Sequence, residues 1–158
     1  MSNAEDALAL FEKAIGTPDG TGDWFTVDQA RINAFADVTE DHQFIHVDPE
    51  KAAQLSPYGT TIAHGFLTLS LLVPLSSSIP QPLERAKGIV MGVNYGFDKV
   101  RFIAPVKVDS RIRATSTPSA VVLKNPNTLQ VTRTVTVEIE GETKPALIAE
   151  WVTQLTYS

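Results

Sequence analysis

Ile62-Ala63-His64-Gly65-Phe66-Leu67-Thr68-Leu69-Ser70-Leu71-Leu72-Val73-Pro74-Leu75 decides the fold. From Phe66 onward the segment is apolar on nearly every side of a helix, and such a helix is stable only when other structure encloses it. The run 66–75 is far shorter than the roughly 20 residues that cross a bilayer, so the enclosure has to be protein. Working outward, the chain supplies it downstream: residues 88–103, 106–116, 129–140 and 144–156 all read as strands. In the third of these, Leu129, Val131, Val135, Val137 and Ile139 alternate with Gln130, Thr132, Thr134, Thr136 and Glu138. That period of two puts one face on a core and the other in water, and only Arg133 interrupts the apolar set.

Turns at Asn125-Pro126-Asn127 and near Gly141 separate the strands at hairpin distances, which predicts an antiparallel sheet. A buried helix followed by long antiparallel strands packs naturally when the sheet curls around the helix. The expected class is therefore α+β, in the hotdog arrangement of an antiparallel sheet wrapped around a long central helix. Five or six strands in one sheet leave edges and a helix flank uncovered, so a homodimer is expected.

Upstream, Leu8, Phe11 and Ile15 recur near the helical period, predicting a helix over residues 5–15 that Gly16, Pro18 and Gly20 terminate. Trp24-Phe25-Thr26-Val27 is a short β-prone run. Asp28 stands where an N-cap accepts a backbone N–H, opening a helix to about Thr39 with Ile32, Phe35 and Ala36 on its apolar stripe. Periodicity fails over residues 40–49, which reads as a loop, and Pro49 then opens a short helix over 50–54. Neither a repeat nor a linker appears, so the expectation is one domain over 1–158, with 1–20 as an N-terminal helix and leader.

The chain has 158 residues, 43% apolar and 20% charged, the balance of an ordinary globular protein. A formal charge of −5 without any basic cluster argues against a nucleic-acid partner. With zero cysteines, disulfides, thiolate metal sites and a cysteine nucleophile are excluded, and a reducing cytoplasm is the expected compartment. The N-terminus lacks a positive start followed by an apolar segment, so neither a signal peptide nor a membrane anchor is expected.

Chemistry concentrates in Asp41-His42-Gln43-Phe44-Ile45-His46-Val47-Asp48, a carboxylate and imidazoles in a loop just after a helix. Adding water to an enoyl thioester requires a base for the water, an acid for the neighbouring carbon, and donors for the enolate oxygen. Asp41 and His46 fit the first two roles. Gly65, at the start of the apolar helix, offers a backbone N–H with partial positive charge and no side chain in the way.

The segments Phe35-Ala36-Asp37-Val38-Thr39-Glu40-Asp41-His42-Gln43-Phe44-Ile45-His46-Val47-Asp48 and Ile62-Ala63-His64-Gly65-Phe66-Leu67 resemble the MaoC-like dehydratase family, which includes the (R)-specific enoyl-CoA hydratases. Val93-Asn94-Tyr95-Gly96-Phe97-Asp98-Lys99-Val100-Arg101-Phe102-Ile103-Ala104-Pro105-Val106 extends the likeness toward the nodulation-protein-N-like branch. The resemblance implies that Asp41 and His46 hold one water and deliver it syn to a trans-2-enoyl thioester, giving a (3R)-3-hydroxyacyl-CoA or, in reverse, dehydrating it. It also implies a thioester contact from the Gly65 amide. Three positions depart from the family pattern S-G-D-x-N-P-x-H: Glu40 replaces its Gly, Gln43 its Asn and Phe44 its Pro, and a Gly before Asp41 would suit a backbone angle that side chains disfavour.

Gln43, Ala63, His64, Asn94 and Arg101 are the expected substrate-binding residues. His64 is read as a hydrogen-bond partner of backbone at the helix start, not as the base, and His42 as a surface residue. His42 and His46 stand four apart, but no third ligand is evident, so no metal and no cofactor is expected beyond coenzyme A as part of the acyl-CoA substrate. Lys99 and Arg101 face either coenzyme A phosphates or solvent. Asp37 and Glu40 read as solvated helix charges. Two other functions remain open at this level: a hotdog acyl-CoA thioesterase, and a non-catalytic acyl-thioester-binding subunit, which Glu40 in place of glycine favours.

Overall fold

The computed structural model describes residues 2–158, and four long strands dominate it: β3 (Ile89–Phe102), β4 (Ser110–Asn125), β5 (Thr128–Ile139) and β6 (Leu147–Tyr157). With β1 (Gly20–Thr21) and β2 (Phe25–Val27), both of which pair with β4, they form one antiparallel sheet in the order β1-β4-β5-β6-β3. The alternation in β5 holds on either side of Arg133: Leu129, Val131, Val135, Val137 and Ile139 are buried. Val135, Val137 and Ile139 share the main core with Leu67, Leu71, Leu72 and Leu75 from the two short helices α5 (Gly65–Ser70) and α6 (Leu72–Ser77) and the residue that joins them. This is the hotdog arrangement.

Sequence expectations change along the central helix and in the second strand. The central helix is not one long rod but α5 and α6 joined at Leu71. Pro74 is the cause, because it cannot donate to the Ser70 carbonyl and its ring crowds that turn. Nor is the helix enclosed on all sides within one chain, since Phe66 and Val73 are exposed. The second strand starts later and ends later than expected, running through Pro118, which sits where the β4–β5 register shifts between Pro118 and Ala120. A bulge is where a sheet tolerates a residue without an N–H.

The upstream elements follow their capping chemistry. Ser2 and Glu5 form a capping box for α1 (Asn3–Ala14). Asp28 accepts from the Arg31 N–H at 2.8 Å to start α2 (Gln29–Thr39). Asp48 does the same for α4 (Pro49–Leu55), with Pro49 in its first turn. The 40–49 segment is more ordered than a plain loop, because Phe44–Val47 makes one helical turn, α3, that tucks His46 inward. A last short helix, α7 (Leu83–Ala86), brings Arg85 to Asp19. Ala4, Ala7 and Phe11 of α1 pack on Leu129, Val131 and Tyr157 as a second, smaller core on the same sheet. Among the described residues, no helix is long and apolar enough to cross a membrane.

Candidate active site

The loop that leaves α2 turns on Glu40, which adopts the left-handed conformation at φ 62°. Glycine reaches this region without a Cβ penalty, and here Glu40 holds it with a side chain. The turn presents Asp41 at the surface, where its carboxylate accepts weakly from the Gln43 N–H at 3.4 Å. His42 swings out to Asp37 at 2.8 Å, away from the site. One turn later α3 buries His46, 7% exposed.

His46 Nδ1 lies 2.7 Å from the Ile62 carbonyl. A carbonyl only accepts, so Nδ1 carries the hydrogen and Nε2 presents a lone pair. Burial pushes the His46 pKa below its ordinary value of 6.5, the Ile62 hydrogen bond opposing this and neighbouring His64 adding to it. The imidazole is therefore neutral near pH 7 and can accept a proton. His64 stacks on it with ring centroids 3.8 Å apart and an interplanar angle of 24°. The His64 Nε2 is 2.9 Å from the Asp41 carbonyl, so it does bond backbone, but that of the loop and not of its own helix start. His64 thereby ties the Asp41 loop to the ring of His46.

A carboxylate oxygen of Asp41 and one ring nitrogen each of His46 and His64 all lie within 4.8 Å of one another. Two acceptors that share one water at about 2.8 Å each sit at about this separation. The third group that the sequence reading lacked for a metal is thus His64, not His42. Each ring has its other nitrogen on a backbone carbonyl, His46 on Ile62 and His64 on Asp41, which orients the remaining nitrogens beside the Asp41 carboxylate as acceptors for a water or as ligands for an ion.

Gly65 opens α5, and its N–H has no intrahelical acceptor at that position. It lines a cavity of about 220 Å³ together with Ile62, Ala63, Thr68, Phe102 and Val106. A Cβ on Gly65 would stand 3.0 Å from the Phe102 ring, so glycine lets that ring close over the helix start. Asp41 and His46 do not line this cavity: His46 reaches its wall through the Ile62 carbonyl, and Asp41 is tied to His64, the residue before Gly65.

The remaining expected contacts divide. Ala63 is buried at the cavity, but its N–H is engaged by the Val106 carbonyl at 2.8 Å. Gln43 is exposed as the N-cap of α3. Asn94 lies farther along β3, where its Oδ1 accepts from Trp151 Nε1 at 3.0 Å. Arg101 is not brought to the cavity: it pairs with Ile148 on the outer face, beside Lys99 and Glu150, and bonds the adjacent Val100 carbonyl. The solvated reading of Lys99 and Arg101 is the one this geometry favours.

Two residues of the site escaped the sequence reading. The Gln29 amide donates to the His46 carbonyl at 2.7 Å, and its oxygen accepts from the buried Thr61 hydroxyl at 2.5 Å. Together they clamp α3 from behind. The only signals in the sequence are adjacency: Gln29 follows the N-cap Asp28, and Thr61 precedes Ile62. Gln29→Ala leaves Thr61 unpaired and the His46 carbonyl without its donor, and should lower stability by about 1–3 kcal/mol in urea titration. Turnover should fall with it, because α3 carries His46; an unchanged rate and midpoint would contradict the clamp.

The lowered pKa of His46 also gives stability a pH dependence. Below the ordinary value of 6.5 the unfolded chain takes up a proton that the folded site resists. The stability that neutral His46 contributes is thus fully present above pH 6.5 and is lost as pH falls through the lower folded value. Between pH 7.5 and pH 5, wild type should lose more stability than His46→Gln in matched urea titrations, and equal losses would exclude this source.

The family model for the MaoC-like domain matches residues 10–140. The chain is 50% identical over 149 residues to Nodulation protein N of Rhizobium meliloti, covering 94% of this chain and 90% of that one. It is 49% identical over 145 residues to 3-hydroxyacyl-thioester dehydratase Z of Mycobacterium tuberculosis, covering 92% and 93%. Among solved structures, the (R)-hydratase from A. caviae involved in PHA biosynthesis superposes with a TM-score of 0.64 at 27% identity, covering 84% of this chain and 94% of that one. The MaoC-like dehydratase from Rhodospirillum rubrum shares the fold, with a TM-score of 0.72 at 22% identity and coverage of 92% and 94%. A matched span of this length, with relatives near half-identical from end to end, means that the chain belongs to the MaoC-like domain family.

Proposed function

We propose that the protein is an (R)-specific 2-enoyl-CoA hydratase, working in reverse as a 3-hydroxyacyl-CoA dehydratase, with 1–158 as a single MaoC-like domain. As an enzyme it is a hydro-lyase, the class its dehydratase and hydratase relatives name. The observation that carries the reading is the Asp41 carboxylate within 4.8 Å of a neutral, buried His46 and of His64, the residue directly before the Gly65 amide at the start of α5. A water bridging the pair gives up a proton to it while its oxygen bonds to the β-carbon. The electron pair of the double bond moves onto the thioester oxygen, which the Gly65 N–H stabilises. The pair then returns one proton to the α-carbon on the same face, so that one water is consumed and the product is the (3R)-3-hydroxyacyl thioester. The chemistry needs no cofactor, and coenzyme A enters only as part of the substrate.

The direct test is loss of enoyl-thioester absorbance with crotonyl-CoA, followed by chiral analysis of the product. Hydration to the (3R) isomer supports the reading. Release of free thiol without hydration would turn it into a thioesterase.

The working unit is proposed to be a cytoplasmic homodimer. Strand β3 ends the sheet with Val90, Met91, Val93, Tyr95 and Phe97 exposed, and Phe66 and Val73 lie uncovered on the central helices. An edge this long and apolar is an aggregation site unless something covers it, and a second copy does so symmetrically. Light scattering at micromolar concentration should report a dimer, and a monomer would contradict it.

A further inference from the structure

Arg133 stands on the row of β5 that faces the core, between Val131 and Val135. It marks a gap between the two apolar clusters, occupied by a cavity of about 480 Å³ beneath the end of α6. We propose that this cavity binds the carboxylate of a ligand with an apolar chain, held by the guanidinium of Arg133 and the hydroxyls of Ser116 and Ser76.

Four observations support it. Ser116 is 2% exposed, lines the cavity, and its hydroxyl has no protein partner; the buried Ser76 hydroxyl is also unpartnered there. Hydroxyls in that state lack a hydrogen bond that a ligand oxygen would supply. Secondly, the one hydrogen bond of Arg133 among the described residues is to Thr153 Oγ1, at 3.2 Å; its guanidinium also stands over the Phe11 ring, 5.4 Å from the centre, which uses none of its remaining N–H donors.

Thirdly, the local charge is uneven. Among the described residues, Asp19 is the carboxylate whose charge acts on Arg133, and it is bound to Arg85 at 2.5 Å. Burial disfavours the Arg133 charge; Asp19 opposes that, while Arg85 adds to it. Tyr157, whose hydroxyl donates to the Arg85 carbonyl, faces the same cluster. A guanidinium does not shed its proton, so an incoming carboxylate relieves the imbalance. Fourthly, no lining residue is acidic, which excludes a cation. Asn94, whose oxygen is held by Trp151, keeps its NH₂ free, and the remaining walls include Val73, Val93 and Leu155. Donors around one guanidinium within apolar walls match a carboxylate on a hydrocarbon chain better than a phosphate dianion.

The carboxylate has two possible sources, a free carboxylic acid or the far end of an ω-carboxyacyl thioester. The second rests on the hydratase reading. It is geometrically reasonable because β3 runs beside α5 and α6 from Phe102 at Gly65, past Phe97 near Leu69, to Asn94 near Val73. From Gly65 to Ser76 the helices span about 16 Å, roughly the reach of a dozen carbons at C–C spacing.

The test has two arms, both on the full chain. In the first, calorimetry compares decanoate with decan-1-ol on wild type, Arg133→Gln and Ser116→Ala. Wild type should bind decanoate at least tenfold more tightly than the alcohol, Arg133→Gln should abolish that preference, and Ser116→Ala, which keeps every charge, should reduce it several-fold. Equal binding of acid and alcohol by wild type, or an undiminished preference in a folded Arg133→Gln and in Ser116→Ala, overturns the proposal and leaves a solvent-filled cavity. In the second arm, kcat/KM for 11-carboxy-2-undecenoyl-CoA is compared with that for 2-dodecenoyl-CoA. A tenfold preference for the carboxylated substrate that Arg133→Gln abolishes identifies the substrate tail as the source. Equal rates with intact decanoate preference identify a free acid, and the carboxylate site stands. Failure to hydrate any enoyl-CoA would sink the hydratase reading alone, since decanoate binding is read independently.

Discussion

Asp41→Asn and His46→Gln should each lower kcat for enoyl-CoA hydration by about 10²–10⁴-fold, the range in which positioned acid–base groups operate. Both variants keep the shape of the site, so KM should change far less than kcat. Asp41 is exposed and lies in a turn, so its amide variant should fold at the wild-type midpoint. The double variant should be little worse than either single one, because the two groups act on the same water and removing one already releases it. Fully multiplicative losses would show that the two residues act on separate steps, and an unchanged rate in either variant would remove that residue from the mechanism.

The largest expected effect on stability lies elsewhere, at the Asp19–Arg85 pair. The two side chains are 2% and 8% exposed and meet at 2.5 Å, with Arg85 stacked 4.9 Å from the centre of the Phe11 ring. Asp19→Ala leaves Arg85 and neighbouring Arg133 buried with no anion between them. Breaking a buried pair in this way costs about 3–5 kcal/mol, a large share of the 5–15 kcal/mol that typically holds a domain together. Thermal unfolding should shift down on the order of 10 °C. Removing both charges in Asp19→Ala/Arg85→Met should cost less than Asp19→Ala alone, because the cost comes from the orphaned charge. If the double variant is the weaker, packing around Arg85 outweighs its charge.

How much of this the sequence discloses depends on whether the signal is local. The period-two row of β5 and the N-caps Asp28 and Asp48 are local, and the structure follows them closely. Pro74 and Pro118 are equally visible, yet their consequences depend on context. One breaks the central helix into two, and the other rides a bulge inside a strand. Arg101 is hidden by a different effect: the register shift between Phe97 and Lys99 reverses which residues face inward, so Val100 packs on the core and Arg101 turns out. No periodicity in the sequence announces that reversal. Arg133 is the opposite case, an interruption plainly visible in the pattern whose meaning appears only when Asp19, Arg85 and Ser116 converge near it.

In the candidate site, Asp41, His46 and Gly65 stand out in the sequence because two short segments carry them. The Gln29–Thr61 clamp and the stacking of His64 on His46 join positions far apart in sequence, and only the folded chain reveals them. Glu40 is where sequence and structure explain each other, since the substituted residue holds the left-handed angle for which glycine is suited.

The central claim is that Asp41 and His46 grip one water above the β-carbon of a thioester whose oxygen meets the Gly65 amide. A crystal structure with a saturated, unreactive acyl-CoA examines it directly. The predicted result is a water within hydrogen-bond distance of both the Asp41 carboxylate and His46 Nε2, facing the β-carbon, with the thioester oxygen on the Gly65 N–H. An acyl chain whose β-carbon lies away from both side chains, or a thioester carbonyl directed elsewhere, would contradict it.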